Sequence, residues 1–161
     1  MAIHSALDNL SDRSVRVQAA RFVENGAGTY TFDVVIPAYA VILDIVVYAE
    51  ALWTAATSAS MEVGTYAYSS GTVGSAVDAD GFFTAVDLKA TDLLADESVN
   101  FDRAGGVEGA FLAGTATHWT DRLSASDRVV RFSAVSVGAG TAGRTVCAVI
   151  FAKPVLTEVT Q

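Results

Sequence analysis

The chain has 161 residues, a net charge of −8, and 52% hydrophobic but only 17% charged residues, where an average protein has about 25% charged residues. This length predicts one domain with its own core, and the negative charge argues against a general nucleic-acid binder because phosphates would be repelled. The longest apolar run is interrupted by Pro37, Asp44 and Glu50, which excludes a membrane helix of about 20 apolar residues.

Alternation of apolar and polar residues predicts strands from the beginning of the chain. In SVRVQAARFVE, at 14–24, we expect Val15, Val17 and Ala19 to face the core. Asn25 and Gly26 predict a turn at 25–28, because both residue types tolerate a positive φ. The strand that follows this turn ends at Pro37.

Further strands are predicted at 41–50 and at 58–68, where the Ser-Ser-Gly turn follows. The spacing of apolar residues in FFTAVDLKATDLL predicts a short helix over 82–94. Residues 95–127 are rich in turn formers, with one strand expected at 109–117, and the chain closes with β-branched runs at 127–137 and 144–156. These runs predict two final strands.

Together these elements predict an all-β protein: a single-domain, jelly-roll-like β-sandwich of about seven to nine antiparallel strands with at most one short helix. We expect a polar N-terminal arm at 1–12 and the sandwich domain at 13–161. The single cysteine, Cys147, allows no disulfide within the chain, and its place in an alternating strand predicts a small buried side chain.

Gly138, Gly140 and Gly143 reproduce the G-x-G-x-x-G spacing of a dinucleotide-binding turn. That motif needs a helix after the glycines, since the helix N-terminus holds the pyrophosphate. Here RTVCAVIFA follows, which alternates like a strand. The glycines therefore predict the loop of a β-hairpin, and no nucleotide cofactor is expected.

Other candidate chemistry is sparse. Asp78 and Asp80 precede Gly81, but positions five and twelve of a calcium loop would be Phe82 and Lys89, so that loop fails. An Asp-Gly turn with solvated carboxylates is the favoured interpretation, and a looser cation site between strands stays open. No spacing of histidines with other ligands predicts zinc, and we expect no catalytic residues, although a hydrolase with a carboxylate pair remains an alternative.

Aromatic residues could serve either the core or a partner. Trp53, Trp119 and Phe83 are candidates for subunit contacts, since aromatic residues are enriched at the buried centre of interfaces. Phe82 and Phe83 are consecutive, so one of them is expected to face away from the core of an extended strand.

The stretches VVIPAYAVILDIVVYAEALW and MEVGTYAYSSGTVGSAVDADGFFTAVDL resemble small bacteriophage virion proteins. The matching features are a strand ended by Pro37, an apolar strand at 42–47, Val63 followed by Gly64, and the element at 78–82. The closing RVVRFSAVSVGAGTAGRTVCAVIFA resembles the final hairpin of the same proteins, so the similarity covers most of 28–152. The family is that of capsid decoration, or cement, proteins of the β-sandwich or jelly-roll type.

This resemblance implies a non-enzymatic structural protein on the outer capsid surface of a virion. It would bind the major capsid protein and copies of itself, as a homotrimer or alternatively a dimer, with no nucleic acid, membrane or cofactor. In the arm, Ile3, Leu7 and Leu10 are the expected shell contacts. The alternative is a carbohydrate- or receptor-binding module of a head or tail fibre, in which Trp53 and Trp119 would form a stacking platform together with Tyr66 and Tyr68.

Overall fold

The computed structural model describes residues 15–94, 98–113 and 122–153, and most of these residues lie in β-strands. The strands are β1 (Val15–Val23), β2 (Gly28–Ile36), β3 (Val41–Ala51), β4 (Ser58–Ser69), β5 (Thr72–Asp87), β6 (Arg128–Val137) and β7 (Arg144–Ala152). One turn of 3₁₀ helix, Thr91–Leu93, follows β5. The arm predicted at 1–12 lies outside the described residues.

The strands form two antiparallel sheets, one of three strands in the order β1-β7-β3 and one of four in the order β2-β6-β4-β5. Connections β1–β2, β3–β4 and β6–β7 pass from one sheet to the other at the same end of the sandwich. This arrangement confirms the predicted all-β, single-domain β-sandwich. The expected final hairpin is wrong, however, because β6 and β7 lie in different sheets and are not paired.

Alternating side chains from both sheets fill the space between them. In β3 the inward positions Ile42, Ile45 and Val47 are fully buried, and Phe132 in β6 is fully buried as well. The period of two marks the core face along β6, whereas a register shift between Ile42 and Asp44 in β3 moves its inward positions by one residue. Cys147 is also buried in this core, as predicted.

The segment after β5 closes one side of the sandwich. It bridges to the edge of β3 at Ala49↔Leu94 and Val47↔Val99, and to β5 at Phe83↔Glu108. Its Phe101 and Phe111 rings lie 5.6 and 5.1 Å from the ring of Phe82. The edge of β3 and the part of β5 at 81–84 are thus covered by the chain itself.

Two predicted elements differ from the structure. The helix expected over 82–94 is instead the end of β5, a turn and the short 3₁₀ helix, because Phe82 and Val86 pack into the core from a strand. Of the strand expected at 109–117, residues 109–113 form turns. The remaining residues lie outside the described part.

The facing of β1 is also wrong in the prediction. Val15 and Val17 are 58% and 60% exposed, whereas Phe22 is only 6% exposed. The even-numbered residues near the end of the strand therefore face the core. Both sets of β1 positions contain apolar residues, so alternation alone did not separate the two faces. Among the described residues, no helix has the length and apolar character to cross a membrane.

Candidate interaction surfaces

The outer face of the three-stranded sheet is largely apolar. The charged residues Arg21, Asp44, Glu50 and Arg144 also point outward. The apolar outward side chains are Val15, Val17, Ala19 and Val23 of β1, Val146, Ala148, Ile150 and Ala152 of β7, and Val41, Leu43, Val46 and Tyr48 of β3. We call these residues the apolar face. A solvated sheet face normally carries polar side chains, so this surface has the character of one that meets a partner.

Charge on the apolar face is limited and mostly paired. Arg21 donates a hydrogen bond of 2.6 Å to Glu50 across β7, and this bond raises the pKa of Arg21. Asp44 accepts hydrogen bonds from the backbone N–H of Ile45 and Phe101. These interactions leave the valines of β1 as the most exposed part of the face.

The outer face of the four-stranded sheet is different in character. Asp33 accepts two hydrogen bonds, of 2.6 and 2.7 Å, from Arg131 on the neighbouring strand, and the hydrogen bond from Arg131 raises the pKa of this guanidinium. The same guanidinium lies 4.5 Å from the ring centre of Tyr66, where a cation is attracted to the π face. Thr29 and Thr31 are exposed on this face, and so are Val35, Val135 and Val137, so the surface mixes polar and apolar side chains.

The glycine motif surrounds a buried glutamate at the end where the chain crosses between sheets. Glu24 is only 2% exposed. Its Oε2 accepts hydrogen bonds from Thr54 N at 2.9 Å, Thr54 Oγ1 at 2.9 Å, Ala142 N at 3.2 Å and Gly143 N at 3.0 Å. One carboxylate therefore joins the β1–β2, β3–β4 and β6–β7 loops.

Close approach to this carboxylate accounts for the glycines. A Cβ at Gly140 would overlap Glu24 Oε1, and one at Gly143 would lie 2.5 Å from Trp53 Cγ. Gly138 has φ +88°, a value that side chains rarely allow. The motif serves packing around Glu24 and Trp53, and the strand β7 that follows it rules out the helix that a nucleotide cradle needs.

The protonation of Glu24 reflects two opposed effects. Burial alone would raise its pKa, but hydrogen bonds from Thr54, Gly143 and Ala142 together lower the pKa below the ordinary value, because they stabilise the charged form. The carboxylate is therefore ionised at neutral pH. Sequence reasoning missed this residue, and a single Glu at the end of a strand carries no signal that could have revealed it.

Several predicted contact residues lie in the core. Trp53 and Phe83 are 2% and 0% exposed, so neither side chain offers surface to a partner, and we do not retain them as contacts. Trp53 donates its indole N–H to Thr145 Oγ1 at 2.8 Å and packs edge-on against Tyr30. Both Phe82 and Phe83 are buried because the segment after β5 covers the side that would otherwise be open.

The other predicted site residues are not brought together. Tyr66 lies on the outer face of the four-stranded sheet while Trp53 points inward, so these two do not form a platform. Ile3, Leu7, Leu10 and Trp119 lie outside the described residues.

The two aspartates in the middle of the chain are in β5, so the predicted Asp-Gly turn is wrong: Asp78 and Asp80 belong to a strand that bends over Gly64. Among the residues that the structure describes, no three His, Cys, Asp or Glu side chains are grouped as a metal site would need.

Comparison with known proteins gives a likeness of fold. No protein-family model matches the sequence, and no curated protein matches it. A chain in the acidic stable capsid structure of Helicobacter pylori bacteriophage KHP30 is similar, with a TM-score of 0.55 and 17% identity over 92% of this chain and 96% of that chain. A chain in the capsid of Ralstonia phage GP4 aligns with a TM-score of 0.49 and 20% identity over 88% of this chain and 86% of that chain.

Proposed function

We propose that this protein is a structural virion protein that decorates the outer surface of a phage capsid by binding the lattice of the major capsid protein. The observation that carries the proposal is the likeness of fold to a chain of the KHP30 capsid, which extends over 92% of this chain and 96% of that one. The likeness extends over nearly the whole length of both chains and is not confined to one sheet.

The surfaces of the sandwich support this role. The apolar face, with Val17 60% exposed, provides area that a larger assembly can bury. The net charge of −8 would keep the protein away from packaged nucleic acid and favour an external position. Binding to the assembled shell but not to loose subunits would stabilise the shell by mass action.

In this proposal the N-terminal residues Ile3, Leu7 and Leu10 contact the shell, and Trp119 stays a proposed contact. Self-association is part of the proposal as well, since several copies would meet on a symmetric shell. The alternative of a carbohydrate-binding module loses support because Trp53, one member of its stacking platform, is buried in the core.

The test uses particles of the phage that encodes this chain, prepared with the gene deleted, and purified protein added back. We expect intact shells to form without the protein, and the added protein to co-sediment with them to a fixed number of copies per shell. The bound protein should raise the temperature at which the shells release their DNA. Shells that fail to assemble without it, or protein that stays in the supernatant, would contradict decoration.

A variant with Ile3, Leu7 and Leu10 all changed to Ser tests the arm separately. We expect it to keep the unfolding temperature of the unmodified protein and to lose shell binding. Equal occupancy on the shells would show that the arm is not the contact, while leaving decoration itself in place.

A further inference from the structure

One side of the sandwich is open in the described structure. The segment after β5 covers the edge of β3 and the part of β5 at 81–84. On the opposite side, β1 and β2 are the outer strands, and each pairs with a single described neighbour. Between them lies a groove of about 290 Å³, lined in part by Ala20, Phe22, Tyr30 and Phe32.

The edge of β1 lacks most of the features by which proteins usually prevent strand pairing, and its charged residues are Arg16 and Arg21. Such features include bulges, prolines and lysines on the edge strand. The register of β1 with β7 runs without a shift from Val15↔Ala152 to Val23↔Arg144, and its sequence VRVQAARFV contains neither Pro nor Lys. The edge of β5, by contrast, is interrupted by several register shifts.

The direction of the backbone groups along this edge follows from one hydrogen bond. Glu24 N donates to Gly143 O at 2.9 Å, and this pair continues the register of Val23↔Arg144. Because hydrogen-bonded pairs alternate in an antiparallel ladder, the even-numbered residues of β1 turn their N–H and C=O towards β7. The odd-numbered residues, among them Val17, Ala19 and Arg21, turn theirs towards the open edge.

We propose that β1 pairs antiparallel with β1 of a second copy of this chain, across a two-fold axis at Ala19. In this register Ala19 lies opposite Ala19 of the partner subunit, Val17 opposite Arg21 of the partner subunit, and Val15 opposite Val23 of the partner subunit. All of these pairs join odd-numbered residues, whose backbone groups are the ones that face the edge. No two like charges lie opposite each other, so the strand is complementary to itself.

Backbone hydrogen bonding favours edge pairing over stacking of two apolar faces. Nine residues at about 3.3 Å each and three strands about 4.8 Å apart give a face of roughly 420 Å², whereas a standard interface buries about 800 Å² per partner. Edge pairing supplies backbone hydrogen bonds that stacking does not, and it joins two apolar faces into one of roughly 850 Å². The pairing specifies the self-association named in the proposed function, and its test uses purified protein alone, so its failure would leave binding to the capsid shell untouched.

Mass measurement and cross-linking test the pairing in solution. We expect light scattering over a concentration series to give twice the chain mass of 16.7 kDa. In an Ala19→Cys variant, a hydrogen-bonded pair would hold the two Cα atoms about 5.5 Å apart, within the range of about 4.4 to 6.8 Å that a disulfide needs. Oxidation should therefore link two chains through this position.

The cross-linking has a matched control in Val135→Cys, on the outer face of the four-stranded sheet, where the residue is 40% exposed. This variant should stay unlinked under the same oxidation. The native Cys147 does not compete, because it is fully buried and burial raises its pKa to about 12.

Charge variants test the register. Val17→Lys would place a positive charge opposite Arg21 of the partner subunit, and Val17→Glu a negative one. The contact between residue 17 and Arg21 of the partner subunit occurs twice in the symmetric dimer, so each substitution changes the binding free energy twice. We therefore expect the dimer dissociation constant to rise about 2- to 30-fold for Val17→Lys and to fall for Val17→Glu. Val135→Lys should leave it unchanged.

Three results would overturn the proposal. The first is a chain of 161 residues that stays monomeric at every concentration, and this result would overturn the proposal even if residues 1–14 of the same chain covered the edge of β1. A dimer that Ala19→Cys does not link would place the contact elsewhere. Equal weakening by Val17→Lys and Val17→Glu would indicate a purely apolar contact without this register.

Discussion

Removing the carboxylate of Glu24 should destabilise the fold strongly although the residue lies in a loop. Glu24→Ala leaves the N–H groups of Thr54 and Gly143 and the Thr54 hydroxyl without their acceptor, and it leaves Ala142 N with only the longer contact of 3.4 Å to Thr54 Oγ1. At about 1 to 3 kcal/mol for each buried donor, reduced where water enters the space, we expect a loss of about 3 to 5 kcal/mol. For a chain of this size that corresponds to roughly 6 to 20 °C in melting temperature.

The isosteric Glu24→Gln gives the pH dependence. Because the folded-state pKa of Glu24 is lowered, its contribution is fully present above the ordinary pKa and is lost as the pH falls through the folded value. Glu24→Gln should therefore cost about 1 to 3 kcal/mol at neutral pH. The difference from the unmodified protein should shrink as the pH is lowered below the ordinary value of 4.5.

Denaturant unfolding at several pH values measures both effects. The matched control is Glu62→Gln, since Glu62 is exposed on β4 and is expected to change stability by less than about 0.5 kcal/mol. If Glu24→Gln is as mild as Glu62→Gln, or if its cost grows on acidification, the carboxylate does not hold the loops together as described.

Two further predictions concern the same end of the sandwich and the core. Gly143→Ala should lower stability by about 1 to 3 kcal/mol because the new Cβ would lie 2.5 Å from Trp53 Cγ, whereas Gly74→Ala, where the nearest atom is 3.3 Å away, should be tolerated in thermal unfolding. Cys147 should resist thiol reagents until the chain unfolds. Burial raises the pKa of its thiol from 9.0 to about 12, so the thiol of the unfolded chain loses its proton at a lower pH than that of the folded chain. The free energy of unfolding should therefore fall as the pH rises between these two values. Rapid labelling of the native thiol would contradict the burial.

Alternation predicted the strands where one face is clearly apolar, and failed where both faces are. β6 follows the expected period, with Val130, Phe132 and Ala134 fully buried. β3 departs from it, because an irregularity between Ile42 and Asp44 leaves Leu43 43% exposed and Ile42 buried. β1 carries valines on its outer side, and these valines were assigned to the core. The sequence feature that misled the prediction is the same one that marks the surface, since exposed valines at an open edge have a use only when something covers them.

Contacts between distant parts of the chain could not be read from local pattern. The G-x-G-x-x-G loop was correctly separated from a nucleotide cradle by the strand after it, but its real neighbour is Glu24, 119 residues from Gly143. The sequence predicts that only one of Phe82 and Phe83 faces the core, because consecutive residues of a strand point to opposite faces. Both are buried because Phe101 and Phe111, in the segment after β5, pack against their rings.

A cryo-electron microscopy reconstruction of the virion tests the central claim most directly. We predict density for this sandwich on the outside of the shell, in contact with the major capsid protein and separate from the shell's own continuous floor. Density for the chain inside the shell, in the tail, or as the building block of the floor itself would contradict a decoration role.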